Sequence, residues 1–216
     1  MVRRVALLLT LWALVATPSL GRAQSSTPAQ ATPVPPSSFA ASDLLGVGTT
    51  EWMATVGTAY GVVVFHSAGG HQYVVQTLSW GRVLSGPKFP GALRGRFEWA
   101  IELMPVYGQY LPDRVYGFGV SPLSWRWNFE PRGRYAPFVQ LSGGLMKSTG
   151  PVPPGTTSAN FTAHAGGGVR VLVAKQQSLV LAYRFDHISN GNRLDRNPGV
   201  NAHAFHLGWS LLKPRN

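Results

Sequence analysis

Leu179-Val180-Leu181-Ala182-Tyr183-Arg184-Phe185-Asp186-His187-Ile188-Ser189 alternates along its whole length. Successive side chains of an extended strand point to opposite faces. Leu179, Leu181, Tyr183 and Phe185 therefore share one face, and the same period carries on into His187 and Ser189. Arg184 and Asp186 fall on the other face. A potential base and a hydroxyl thus stand one step apart on the greasy side of a strand. A soluble protein would hide such a face; a membrane barrel would turn it outward.

The pattern recurs through the chain. Segments of about ten residues, separated by Gly, Pro, Asn and Asp, lie near 51–65, 72–84, 95–107, 115–129, 135–148, 159–173, 178–189 and 201–212. None has a sustained helical period, so the class is all-β. Phe97, Trp99, Ile101 and Leu103 alternate with Arg96, Glu98, Ala100 and Glu102, and Leu123, Trp125, Trp127 and Phe129 with Ser124, Arg126, Asn128 and Glu130. Phe161, Ala163, Ala165, Val169 and Val171 oppose Thr162, His164, Gly166, Gly168 and Arg170, and Phe205, Leu207, Trp209 and Leu211 oppose Ala204, His206, Gly208 and Ser210. The second face is small and of mixed charge, with Arg126, Arg170, Arg184, Glu98, Glu102, Glu130 and Asp186 placed to pair across strands. Such a face suits the narrow lumen of an eight-stranded antiparallel transmembrane β-barrel whose outside meets hydrocarbon. A two-sheet sandwich with its polar faces to water fits the same alternation. Ser121-Pro122 reads as a bulge, because Pro cannot donate to a ladder, and Val62-Val63-Val64-Phe65 breaks the alternation of the first segment. Trp52, Trp99, Trp125, Trp127 and Trp209 read as interfacial or lipid-facing side chains.

Arg3 and Arg4, an apolar run over Val5 to Ala16 and the small residues around Ala23 predict a secretory signal over 1–23. The run is too short to span a bilayer as a helix. Residues 24–48 read as a flexible leader, rich in Ser, Pro, Ala and Thr, and 49–213 as the barrel. Charged residues make up only 12%, against about 25% in soluble domains. Loss of Arg3, Arg4 and Arg22 takes the formal charge from +11 to +8. An exported basic chain meets an anionic membrane surface or phosphorylated lipid, and no nucleic acid. With no cysteine there is no disulfide or thiolate site, and the histidines show no metal-ligand spacing, so neither metal nor cofactor is expected.

The chemistry gathers in the last hairpin. Asn201 has the parity of Phe205 and Leu207, so tight pairing puts it beside His187, about 5 Å away between Cβ atoms. A Ser hydroxyl is a poor nucleophile until an imidazole takes its proton, and the imidazole needs a partner to fix its tautomer. Here that third position is an amide. Asp186 has the wrong parity to replace it; Asp195 lies in the loop. His203 shares the outward parity near the rim.

Arg184-x-x-His187-x-Ser189-Asn190, followed by the Asn197-Pro198-Gly199 turn, resembles outer-membrane lipid A 3-O-deacylases of the PagL type. The similarity extends to Gly117–Leu123, Pro137-Phe138-Val139 and Gly166–Arg170. The resemblance implies an eight-stranded barrel in the bacterial outer membrane whose site faces the outer leaflet and hydrolyses the 3-O-linked acyl chain of lipid A, as monomer or homodimer. It makes His187 the base, Ser189 the nucleophile and Asn190 a residue of the oxyanion site. Asn201 falls where that family carries its glutamate. An amide orients an imidazole but does not stabilise an imidazolium by charge, which leaves a second expectation: a weak or inactive structural or adhesive barrel.

Overall fold

The structure is a computed structural model that describes residues 44–215; the expected signal segment and most of the leader lie outside the described residues. Eight strands, β1 Thr50–Val62, β2 Gln72–Val83, β3 Gly95–Leu111, β4 Val115–Phe129, β5 Tyr135–Ser148, β6 Ala159–Ala174, β7 Gln177–Ser189 and β8 Val200–Lys213, follow one another in space as in sequence. Each pairs antiparallel with its neighbours, and β8 returns to β1 to close the barrel. Closure satisfies every ladder and leaves no sheet edge. The sandwich alternative is thereby set aside.

The two faces divide as the alternation predicts. Trp52, Val56, Leu103, Leu123, Trp125, Leu141, Leu181, Phe205, Leu207 and Trp209 project from the barrel, all exposed. Inside, charges pair across strands. Arg126 donates to Glu51 at 3.0 Å, to Glu98 at 2.8 Å and to Ser79 at 2.7 Å. Arg170 donates twice to Glu51 at 2.6 Å and once to Asn128 at 2.8 Å. Higher up, Arg184 grips Glu102 through two bonds of 2.7 Å. These charges are buried, and their pairing across strands makes that tolerable. Glu130 departs from the expected lumen role. It lies just past the end of β4 and pairs with Arg94 and Arg96 at the rim.

Above the ions, Tyr73, Tyr107, Met146, Val152, Ile188 and Val200 fill the lumen toward the β7–β8 hairpin. The barrel is a packed body there, not a pore. At the opposite end Leu45, in the stretch read as leader, is fully buried, and with Leu44 it packs on Val83, Ala136, Leu172 and Leu212. A polar-rich leader gives no hint of two leucines that plug an open rim. The register slips at Ser121-Pro122 against both neighbours, as expected of a strand Pro. Gly144 sits opposite that bulge, where a side chain would collide with the Val120 carbonyl and Ser121.

Candidate active site

β7 and β8 pair without interruption from Gln177↔Leu211 to Ile188↔Val200, and within that register His187 lies opposite Asn201. An unbroken ladder keeps parity intact, so His187, Ser189 and Asn201 all belong to the outer face. His187 Nδ1 and Asn201 Oδ1 are 2.7 Å apart. The other end of the amide, Nδ2, donates to the Val64 carbonyl at 3.1 Å. A carbonyl only accepts, so the amide must present its oxygen to the ring, and the ring must donate through Nδ1–H. In the neutral ring that tautomer puts the lone pair on Nε2.

Val64 reaches this position because β1 stops at Val62. Phe65 and His66 then take left-handed conformations, φ 53° and 62°. Ser67 Oγ accepts from Val64 N at 3.2 Å and donates to Val62 O at 2.9 Å, which holds the turn. Ala68 N donates to Gly199 O at 2.9 Å. The β1–β2 loop is thus folded across the start of β8, and Asn201 is buried beneath it. Sequence reasoning missed Val64. Its one signal was the broken alternation at 62–65, and nothing local links that stretch to Asn201, far along the chain.

Ser189 stands on the outer face opposite Phe161 of β6. It is not hydrogen-bonded to His187. Gly199, with φ 66°, lies against both: a side-chain carbon there would sit 3.1 Å from His187 Cε1 and 3.6 Å from Ser189 Cβ. Asn190 does not join the others. It is buried, its N–H donating to Asn197 Oδ1 at 3.0 Å and its Nδ2 to Arg196 O at 3.1 Å. Arg193 Nε in turn donates to Asn190 O at 2.9 Å. Asn190 ties the hairpin loop together, while among the described residues the N–H groups of Gly191 and Asn192 have no acceptor. Asp186 faces the lumen, where it accepts from Tyr73 Oη at 2.9 Å. Asp195 is exposed in the loop, and among the described residues no carboxylate reaches His187.

His203 bonds Tyr183 Oη through Nδ1 at 2.6 Å and packs on the Tyr183 and Phe185 rings, with centroids 5.8 and 5.6 Å away. This polar pair lies on the outer face next below His187 and Asn201, where the two strands set Phe185 against His203. The arrangement offers a base with a defined tautomer, a hydroxyl beside it and an apolar wall below.

The family profile described as lipid A 3-O-deacylase (PagL) matches residues 71–210, a span that includes His187, Ser189, Asn190 and Asn201. Among solved structures, the outer membrane enzyme PagL is 15% identical, with 73% of this chain and 97% of that chain covered and a TM-score of 0.44. Neisserial surface protein A is 15% identical over 77% of this chain and 98% of that one, at a TM-score of 0.48. Ail, the attachment invasion locus protein of Yersinia pestis, is 9% identical over 77% and 99%, at 0.44. No curated protein sequence matches the chain.

Proposed function

Because the chain belongs to the lipid A 3-O-deacylase (PagL) family and is an outer-membrane β-barrel, we propose that it is a serine esterase that removes the 3-O-linked acyl chain of lipid A from within the outer leaflet. The observation that carries this reading is the Val64–Asn201–His187 chain of hydrogen bonds beside Ser189 on the lipid-facing wall.

In this mechanism Ser189 Oγ attacks the acyl carbonyl carbon while His187 Nε2 takes its proton. The tetrahedral intermediate collapses as the imidazolium returns that proton to the departing sugar oxygen. Water, activated by the same nitrogen, then attacks the acyl–Ser189 ester and releases the fatty acid. Asn201 holds the ring in the required tautomer throughout, in the role an asparagine plays in some cysteine proteases. The oxyanion is held by the free N–H groups of the hairpin, at Gly191 and Asn192, and Asn190 serves that site by holding the turn. The missing Ser189–His187 hydrogen bond closes when substrate presses the hydroxyl toward the ring; catalytic bonds are often long before substrate binds. Acyl chains run along the apolar wall below Ser189, so the ester reaches the site without leaving the bilayer.

Mass spectrometry of lipid A from cells that do and do not make the protein tests this. The wild type should produce a species lighter by one acyl chain. Ser189→Ala and His187→Ala should each lower its formation by a factor of about 10³ or more, with the barrel still folded. Undiminished formation of the lighter species in both variants would overturn the assignment. A second reading, a non-catalytic barrel, is favoured by the amide at 201 and the open Ser189–His187 gap; an unchanged lipid A spectrum with folded wild type supports it.

A further inference from the structure

Outside the hairpin, the outer wall carries a groove of about 430 Å³ floored by Leu103, Phe118, Val120 and Leu145. It lies beside the site, because Val120 pairs with Leu145, Leu145 with Phe161 and Phe161 with Ser189. Two cations close its upper end, Lys147 and Arg193. Lys147 donates to Ser158 Oγ at 2.7 Å. Arg193 is steadied by the carbonyls of Asn190 and Ala159 and lies 5.2 Å above the centre of the Phe161 ring. Among the described residues neither forms an ion pair. Unpaired cations at the head of an apolar trough complement a molecule with an anionic head and an aliphatic tail. With strands about 4.8 Å apart and side-chain rows about 7 Å apart, Lys147 stands roughly 12 Å from Ser189. One headgroup spans that distance.

We propose that this groove is a second contact site for a phosphorylated, multiply acylated glycolipid. Its phosphate sits between Lys147 and Arg193, and an acyl chain that is not cut lies along Leu103, Val120 and Leu145. The proposal rests on the esterase reading above, since it places the headgroup so that a neighbouring chain can present its ester to Ser189. It makes the phosphate a recognition element.

The test measures binding, not turnover, on full-length Ser189→Ala protein in detergent micelles. The probes are lipid A and lipid A stripped of its phosphates by a phosphatase. The phosphorylated form should bind at least about 10-fold more tightly. Lys147→Glu in the same background should abolish that preference, and Val120→Trp should weaken both probes by filling the groove. Folding of each variant is checked by heat-modifiable migration on gels. Equal binding of the two probes, or a preference that survives Lys147→Glu, overturns the phosphate site; tight binding unaffected by Val120→Trp overturns the acyl groove. Because no fatty acid release is needed, a negative result here leaves the esterase reading standing, and failure of wild-type hydrolysis leaves the binding result readable.

Discussion

Asn201 Oδ1 accepts from His187 Nδ1 at 2.7 Å while the same amide donates to a backbone carbonyl, that of Val64, at 3.1 Å. A carboxylate at this position would meet the imidazole well and the carbonyl badly, since two acceptors would then face each other. The amide satisfies both neighbours. Its cost is electrostatic: it offers no charge to an imidazolium as that cation forms in a wall with little water.

Asn201→Asp should therefore separate turnover from stability. The ring gains a charge-assisted bond in the transition state, which should raise kcat by about 10- to 100-fold. Val64 loses its donor and faces an oxygen, so unfolding should be easier by about 1–3 kcal/mol. Asn201→Ala should lower kcat with little change in KM. Steady-state kinetics in micelles and urea unfolding check the pair; an Asp variant slower than wild type would mean that the ring is oriented by another group.

Gly199 should tolerate no side chain. Its φ is 66°, and an added carbon would sit 3.1 Å from His187 Cε1. Gly199→Ala is expected to displace the ring and to lower kcat/KM by a factor of about 10², with β7 and β8 still paired. Activity together with heat-modifiable gel migration tests this.

In the lumen, Arg170→Met strips Glu51 of two charge-assisted hydrogen bonds of 2.6 Å. Glu51 keeps Arg126 and Ser210 as partners, but a buried carboxylate that has lost one of its two cations should still cost up to about 3 kcal/mol, read as a lower urea midpoint. Pairing it with Glu51→Gln should recover part of the loss, because the charge left behind is removed as well.

His71, in the β1–β2 loop just before β2, is buried beside Gln109, whose Oε1 lies 3.1 Å from its Nδ1. Burial lowers its pKa from the ordinary 6.5, against the smaller upward pulls of Gln109 and Asp113. The unfolded loop therefore binds a proton more readily than the folded one. Loop stability should be complete above pH about 6.5 and should fall as the pH drops from there toward the lowered folded value. Hydrogen exchange over 63–71, corrected for intrinsic rates, should show protection lost in that window. His71→Asn should remove the pH dependence.

Alternation alone carried most of the architecture. Arg126, Arg170, Arg184 and Glu98 could be assigned to the lumen because parity is a local property of an extended chain, and parity likewise put His187, Ser189 and Asn201 on one face. The hairpin register followed from continuity through β7 and β8. Glu130 was misplaced because parity does not say where a strand ends.

What no local rule contains is closure. Only when β8 returns to β1 does the loop after Val62 arrive over Asn201, and only then is the amide's orientation, and with it the His187 tautomer, decided. The same holds for Leu45 at the far rim and for Lys147 and Arg193 beside one groove. The amino-acid order set which face each side chain takes, through a repeat of two residues. Which faces become neighbours across distant strands depends on the circumference and stagger of the closed barrel, a property of the whole sheet.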